Sequence, residues 1–221
     1  MTQPYNVLNA PRIDTDEHVF ICGQTGTGKS VVAEVYLAGY DHVVKLDTKG
    51  EYYERKKKKL PIWRGLEEGK DFTVVFHLKD VEKAKTGKII YVPSPEEMNE
   101  EYYDSLMKWV YKRENTILWI DELMEVAPSP VRYPFHLKAL YTRGRSKEAV
   151  VWACTQRPTD IPVICMTNST HYFIFTMQNP DDRHKLVRAT GMPQFMEQPY
   201  GHNFWYWKIG NDAPVKAKLN L

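Results

Sequence analysis

The stretch HVFICGQTGTGKSVV, residues 18 to 32, joins a short apolar run to a loop that contains three glycines and a lysine. The apolar run at 18–22 predicts a buried strand, and residues 30–39 predict a helix that ends at Gly39. The loop between them matches G-x-x-x-x-G-K-[ST], in which glycines let successive backbone N–H groups turn inward toward phosphate oxygens. We therefore expect a phosphate-binding loop between a strand and a helix.

Individual positions of this loop can be given separate roles. The Lys29 ammonium is expected to reach the β- and γ-phosphates of ATP, and the Ser30 hydroxyl is expected to coordinate Mg²⁺. The helix that begins at Lys29 presents the positive end of its dipole to the same negative charge. The alternative is a glycine-rich turn without a ligand, but chance matches rarely fall between a strand and a helix. The predicted ATP-binding residues are Gly23, Gln24, Thr25, Gly26, Thr27, Gly28, Lys29, Ser30 and Val31.

Apolar runs and helical patterns alternate along the rest of the chain. Continuous apolar runs predict strands that are buried on both faces, and their alternation with helices is typical of an α/β sheet covered on both sides. Turn residues near position 210 predict a C-terminal hairpin. The predicted strands are 42–47, 72–78, 88–92, 116–120, 149–155 and 171–177, the predicted helices are 95–115, 134–148 and 181–191, and the basic segment 55–60 is expected to be a loop.

The overall composition excludes several classes of protein. Thirty basic residues against 28 acidic residues leave a net charge of +2, so the chain would bind a polyanion only through local clusters or several copies. No apolar run approaches the roughly 20 residues that span a bilayer, and the N-terminus does not resemble a signal peptide. The three cysteines, Cys22, Cys154 and Cys165, are expected to be reduced in a soluble intracellular protein.

TILWIDE, residues 116 to 122, ends an apolar strand with two carboxylates. Next to a phosphate-binding loop, a carboxylate at a strand end can hold Mg²⁺, a role that suits Asp121. The carboxylate that follows, Glu122, can orient the attacking water and accept its proton. Two alternatives remain open here: an acidic start to a helix, or a nucleotide kinase in which the basic segment 55–60 closes over a small acceptor.

Four segments together resemble the FtsK/HerA superfamily of P-loop motors: GQTGTGKS, VVKLDTKGEY at 43–52, ILWIDE at 117–122 and TQRP at 155–158. The resemblance covers about residues 18–178 and implies an α/β fold of the three-layer RecA-like (ASCE) P-loop NTPase type with a mainly parallel central sheet. It also implies that the strand before Gln156 lies between the phosphate-loop strand and the strand of the carboxylate pair. The Gln156 amide would then sense the γ-phosphate.

The same resemblance implies a larger assembly. Members of the superfamily work as rings, so a hexamer or pentamer is expected, in which a neighbouring subunit supplies an arginine to each ATP site. Arg143 and Arg145 are the favoured candidates for this catalytic arginine, and Arg157 is a third. The bacterial DNA translocases carry theirs where this chain has Ser-Thr-His at 169–171. The alternative interpretation of the first two is surface charge at the end of a helix.

Size and resemblance point toward compact viral packaging ATPases. They imply an ATP- and Mg²⁺-dependent motor that packages double-stranded DNA, without sequence preference, into a preformed capsid, with capsid vertex or portal proteins as partners. The expected location is the host cytoplasm and the packaging vertex of the virion. We expect a single domain over 1–221, comprising an N-terminal extension at 1–17, a motor core at 18–178 and a C-terminal helix and hairpin at 179–221.

Other functions stay open on the sequence alone: a motor of the same superfamily that exports proteins or filaments, a nucleotide kinase, and a nucleotide-binding switch. DNA contact is expected from 54–59 and 79–88, which are rich in lysine, although solvated surface charge is the commoner explanation of such runs. The aromatic residues at 204–207 are expected to pack in the core or against a neighbouring subunit rather than to stack on bases. The histidines show no spacing typical of metal ligands.

Overall fold

The computed structural model describes residues 11–219, which form one central sheet with helices on both faces. The strands are β1 Val19–Cys22, β2 Val43–Leu46, β3 Phe72–Val75, β4 Lys88–Tyr91, β5 Thr116–Ile120, β6 Ala149–Thr155, β7 His171–Ile174, β8 Asn203–Lys208 and β9 Val215–Lys218. The helices are α1 Lys29–Leu37, α2 Glu51–Lys57, α3 Glu100–Arg113, α4 Leu123–Val126, α5 Phe135–Arg143, α6 Ile164–Thr167 and α7 Pro180–Thr190. Residues 1–10 of the expected N-terminal extension, and residues 220–221, lie outside the described residues.

The sheet has nine strands in the spatial order β3-β4-β2-β5-β6-β1-β7-β8-β9. All neighbours from β3 to β7 are parallel, and β8 and β9 continue one edge in antiparallel pairing. β6 lies between β1 and β5, with Thr155 opposite Cys22 and Ala153 opposite Ile120. The carboxyl ends of these three strands therefore share one edge of the sheet, where ligands of parallel sheets bind. The mainly parallel sheet, the C-terminal hairpin and the position of β6 are confirmed.

Two apolar clusters, one on each face of the sheet, complete a three-layer structure. Successive residues of β1 point to opposite faces: Phe20 and Cys22 belong to one cluster, and Val19 and Ile21 belong to the other. The first cluster includes residues of α3 to α7, and the second includes α1 and Trp63. Burial on both faces explains why the parallel strands have continuous apolar sequences.

Several element boundaries differ from those predicted. The helix predicted over 95–115 is divided into a short 3₁₀ turn and α3, because the Asn99 side chain caps a new helix start by accepting two backbone N–H groups. β3 and β7 end before the last residues of the predicted strands. The short helices α4 and α6 were not predicted, since four residues are too few to show a helical period.

The expectation that 55–60 forms a loop is wrong, because its first three residues belong to α2. The buried Asp47 carboxylate accepts the backbone N–H groups of Glu51 at 2.9 Å and of Tyr52 at 2.8 Å, which fixes the first turn of the helix. Arg55 then reaches back to Glu51, four residues earlier, with 2.6 Å between the guanidinium and the carboxylate. These side-chain contacts outweigh the repulsion among the lysines that follow.

The aromatic residues at 204–207 are buried on β8 and pack against the neighbouring strand, as expected. The ring centroids of Trp207 and Tyr172 are 5.1 Å apart, and those of Phe204 and Phe175 are also 5.1 Å apart. The three cysteines are buried and free. Among residues 11–219, no helix combines the length and the apolar character that crossing a bilayer requires.

Candidate nucleotide-binding site

The loop between β1 and α1 has the backbone conformation that its glycines predict. Gly23, Gly26 and Gly28 have φ values of 147°, 81° and 114°, a region that other residues rarely adopt. A Cβ atom on Gly23 would lie 2.5 Å from the Cβ of Phe175, so this position also lacks room for a side chain. The turn therefore requires glycine for two separate reasons.

Backbone hydrogen bonds fix the start of the loop to the neighbouring strands. The Gly23 N–H donates to the carbonyl of Thr155, at the end of β6, at 3.2 Å. The Gln24 N–H donates to the carbonyl of Thr176, just after β7, at 2.9 Å. The loop is thus held between the ends of the strands on either side of β1.

The end of the loop contacts the C-terminal hairpin. Nδ1 of His202 lies 3.4 Å from the carbonyl oxygen of Thr27. A Cβ atom on Gly28 would lie 2.4 Å from Cδ1 of Leu219, which follows β9. The hairpin therefore forms one side of the loop, although it is remote from the loop in sequence.

Lys29 lies under the loop, where its side chain is largely buried. Its Nζ atom donates to the carbonyl of Gln24 at 3.0 Å. Burial lowers the pKa of Lys29, and the positive charge of Lys49 acts in the same direction. Val31 packs its side chain against the apolar cluster of α1, so only main-chain atoms of this residue remain to meet a phosphate.

Gln156 connects the phosphate loop to the end of β5. Its Oε1 atom accepts a hydrogen bond from the Thr25 hydroxyl at 2.9 Å, and its Nε2 atom donates to Oε2 of Glu122 at 3.1 Å. The backbone N–H of Gln156 also donates to Oε1 of Glu122 at 3.4 Å. Three residues that the sequence analysis selected from separate segments therefore meet at one edge of the sheet.

Asp121 is 3% exposed, and its Oδ1 atom has no hydrogen-bond partner among the described residues. Burial raises the pKa of Asp121, and the nearby Lys45 ammonium opposes that shift. A buried carboxylate oxygen without a donor costs free energy unless a cation contacts it, so Asp121 fits the predicted Mg²⁺. Ser30, at the start of α1, offers a hydroxyl oxygen, which is a second ligand of the kind that Mg²⁺ binds. Among residues 11–219 no group of three or more acidic, histidine or cysteine side chains could hold a metal by itself.

Lys49 is a residue of the site to which the sequence analysis gave no role. Its Nζ atom lies 3.0 Å from Oε2 of Glu122, and it follows the buried Asp47 in the loop between β2 and α2. The only sequence signal was its place within DTKGEY, one of the segments that carry the resemblance. Lys49 can be assigned to the site only from the structure, which places the loop after β2 next to the end of β5.

The two favoured arginines lie away from this site within one chain. Arg143 ends α5 and Arg145 follows in a 3₁₀ turn, so both precede the amino end of β6, whereas the phosphate loop lies at the carboxyl ends. The Nε atom of Arg145 donates to the carbonyl of Asp16 at 3.0 Å. Arg157 is at the carboxyl edge and contacts the buried Asp182 carboxylate at 3.6 Å. A role for any of them in a neighbouring subunit's site stays a prediction.

The lysine-rich segments differ in structure from each other. In 54–59 the lysines are exposed at the end of α2, but Arg55 turns away from them into buried ion pairs. In 79–88 a 3₁₀ helix over Leu78–Lys83 leads to β4. Arg55 is therefore a structural residue, and DNA contact by the exposed lysines of the first segment stays a prediction.

The sequence matches no described protein family and no curated protein, but solved structures match its fold. The genome packaging NTPase B204 from Sulfolobus turreted icosahedral virus 2 superposes with a TM-score of 0.72 at 15% identity, over 95% of this chain and 99% of that one. VirB4 of Thermoanaerobacter pseudethanolicus gives a TM-score of 0.61 at 11% identity, over 95% and 93%.

A third structure, EssC (ATPases 2 and 3) from Geobacillus thermodenitrificans, gives a TM-score of 0.59 at 14% identity, over 93% of this chain and 40% of that one. At such identities the likeness is one of fold. The resemblance expected from the sequence is confirmed at that level: this chain has the fold of the P-loop ATPases of the FtsK/HerA type.

Proposed function

We propose that this chain is a Mg²⁺-dependent ATPase that works as a ring and moves double-stranded DNA into a viral capsid. The observation that carries the proposal is the bridge by Gln156 between Thr25 of the phosphate loop and the Glu122 carboxylate. A nucleotide kinase needs an acceptor beside the γ-phosphate. The side chains that meet at this edge of the sheet are instead a carboxylate and an amide, which suit a water molecule.

The proposed chemistry is in-line attack of water on the γ-phosphate. Glu122 accepts the proton of the attacking water, and Lys29 neutralises charge on the phosphate oxygens. Asp121 and Ser30 would hold Mg²⁺, which would supply further neutralisation of phosphate charge. Gln156 links the presence of the γ-phosphate to the end of β6, because it contacts both the loop and the base.

DNA packaging is supported by the fold that this chain shares with a viral genome packaging NTPase over nearly the whole length of both. The exposed lysines at 56–59 offer phosphate contacts without sequence reading. A modest net charge of +2 is compatible with this role, because a ring multiplies each pore-facing cluster. The docking partners on this proposal are capsid vertex or portal proteins.

The central test is ATP turnover with and without duplex DNA, over a range of protein concentrations. We expect turnover that rises with protein concentration and with DNA. Lys29→Ala should abolish tight ATP binding, whereas Glu122→Gln should bind ATP and hydrolyse it very slowly. Turnover only with a small acceptor would indicate a kinase, hydrolysis indifferent to DNA would indicate a protein-export motor, and no turnover in any assembly would indicate a switch.

The catalytic arginine can be identified by mixing subunits. Arg143→Ala or Arg145→Ala, added to the wild-type chain, should lower the activity of the mixture more than its wild-type fraction predicts, because each such subunit disables its neighbour's site. Arg188→Ala, an exposed arginine on α7, is the matched control and should only dilute the activity. If both variants only dilute the wild-type activity, neither is the catalytic arginine, and Arg157 should be tested next.

A further inference from the structure

The loop between β2 and α2 brings an ammonium group to the proposed catalytic base. Nζ of Lys49 lies 3.0 Å from Oε2 of Glu122, with the Lys49 side chain 38% exposed and that of Glu122 only 6% exposed. Gly50, the next residue, has a φ of 67°, which is the left-handed conformation that starts α2. Lys49 is therefore the solvent-reaching member of the pair, on a loop connected to α2 by a glycine.

The Glu122 carboxylate is surrounded by donors. Oε2 accepts from the Lys49 ammonium at 3.0 Å and from the Gln156 side-chain amide at 3.1 Å, and Oε1 accepts from the Gln156 backbone N–H at 3.4 Å. Oε2 already accepts two hydrogen bonds, so this oxygen can accept a proton from water only after one of its donors leaves. Of the two donors to Oε2, the long, unbranched Lys49 side chain is the more mobile, because the Gln156 side chain is also held by the Thr25 hydroxyl.

Lys49 is connected to the phosphate loop through two residues: it contacts Glu122, which accepts from Gln156, and Gln156 accepts from the Thr25 hydroxyl of the loop at 2.9 Å. The positive charge of Lys49 contributes to lowering the pKa of Lys29, although burial is the larger cause. Partial burial lowers the pKa of Lys49 itself, but the Asp121 and Glu122 carboxylates outweigh burial and raise the net value. Lys49 is therefore a cation at neutral pH that contacts the base directly and is linked to the loop through Glu122 and Gln156.

We propose that Lys49 is a second phosphate-binding lysine, which leaves Glu122 for the γ-phosphate of bound ATP and thereby frees Glu122 to act as the base. This inference rests on the proposed ATPase function. The γ-phosphate of ATP carries more negative charge than a carboxylate and competes for the ammonium, whereas ADP has no group at that position. Lys49 thus makes the site selective for triphosphates and couples that selectivity to release of the base.

The test is calorimetric titration with ADP and with the β,γ-methylene analogue of ATP, both with Mg²⁺. In Lys49→Met the affinity for the analogue should fall about 10- to 100-fold, since a charge-assisted hydrogen bond is lost, while the affinity for ADP stays nearly unchanged. Lys112→Met, which removes an exposed lysine of α3, is the matched control and should change neither affinity. Equal losses for both nucleotides, or no loss for the analogue, would overturn the inference.

A second variant keeps the inference testable if Lys49→Met does not fold. Glu122→Ala removes the partner that Lys49 must leave, so the variant should bind the analogue more tightly than the wild-type chain does and bind ADP as before. Unchanged or weaker binding of the analogue would contradict the proposal that Lys49 leaves Glu122 for the γ-phosphate. These are binding measurements, so absence of hydrolysis in the wild-type chain would contradict the proposed ATPase without deciding the role of Lys49. Absence of any nucleotide binding would contradict both.

Discussion

Arg55 provides a sharp test, because its place in a lysine-rich segment suggests DNA contact while its surroundings indicate structure. Its guanidinium contacts the carboxylates of Glu34 on α1 and Glu51 on α2, and donates to the carbonyls of Pro61 and Ile62 at 3.1 Å. The Arg55 side chain is 12% exposed and that of Glu34 is fully buried. Replacing this arginine leaves a buried carboxylate short of a cation.

The cost of Arg55→Ala can be worked from these contacts. Removing one partner of a buried ion pair typically costs about 3–5 kcal/mol. Each carboxylate keeps one other cation, since Glu51 contacts Lys45 at 2.6 Å and Glu34 contacts Arg64 at 3.1 Å. The lower end, about 3 kcal/mol of unfolding free energy, therefore applies. In a chain of this length that loss lowers Tm by roughly 6–12 °C.

The assay is thermal and urea unfolding of Arg55→Ala followed by circular dichroism. Lys57→Ala, two residues later and exposed, is the matched control and should unfold within about 0.5 kcal/mol of the wild-type chain. A variant of Arg55 that unfolds like this control would refute the structural role. If Arg55→Ala stays stable but loses DNA-stimulated turnover, Arg55 would belong with the lysines of 54–59 as a DNA contact.

The remaining predictions concern the loop, the metal and a buried histidine. Gly28→Ala, whose Cβ would lie 2.4 Å from Leu219, should weaken ATP binding more than Gly26→Ala, which has nothing within 4 Å; calorimetry measures both. Asp121→Asn should raise the Mg²⁺ concentration needed for half-maximal turnover by about 10-fold or more, measured by Mg²⁺ titration. Burial lowers the pKa of His18 to about 3, so its neutral form stabilises the fold above the ordinary pKa of 6.5. That stability is lost at up to about 1.4 kcal/mol per pH unit as the pH falls from there toward the folded value, and His18→Gln should flatten this dependence in urea unfolding.

The phosphate loop and its partners could be predicted because each is encoded locally. Short segments of the sequence are enough to recognise the glycines of the turn, the lysine at the helix start and the polar residues at the strand ends. A parallel sheet then brings strand ends to one edge without further information. The meeting of Glu122 with Gln156 therefore followed from the resemblance and the strand order together.

Contacts between distant segments could not be predicted in this way. Arg55 and Lys57 are basic residues of the same run, so the sequence does not show which of them is buried. Arg55 is the buried one because it contacts Glu34 on another helix. Lys49 belongs to a quoted motif, but its partner is set by the path of the loop after β2. The contact of Leu219 with the phosphate loop depends on how an antiparallel hairpin is attached to a parallel sheet.

That last contact has a consequence for communication through the molecule. His202 and Leu219 flank β8 and β9 and touch the loop at Thr27 and Gly28. β9 is the outermost strand on its side of the sheet. If nucleotide binding displaces the loop, these contacts would carry the displacement toward that edge of the sheet. By thermodynamic reciprocity, a molecule that binds this edge would then change the affinity for nucleotide by the same factor by which nucleotide changes the affinity for that molecule.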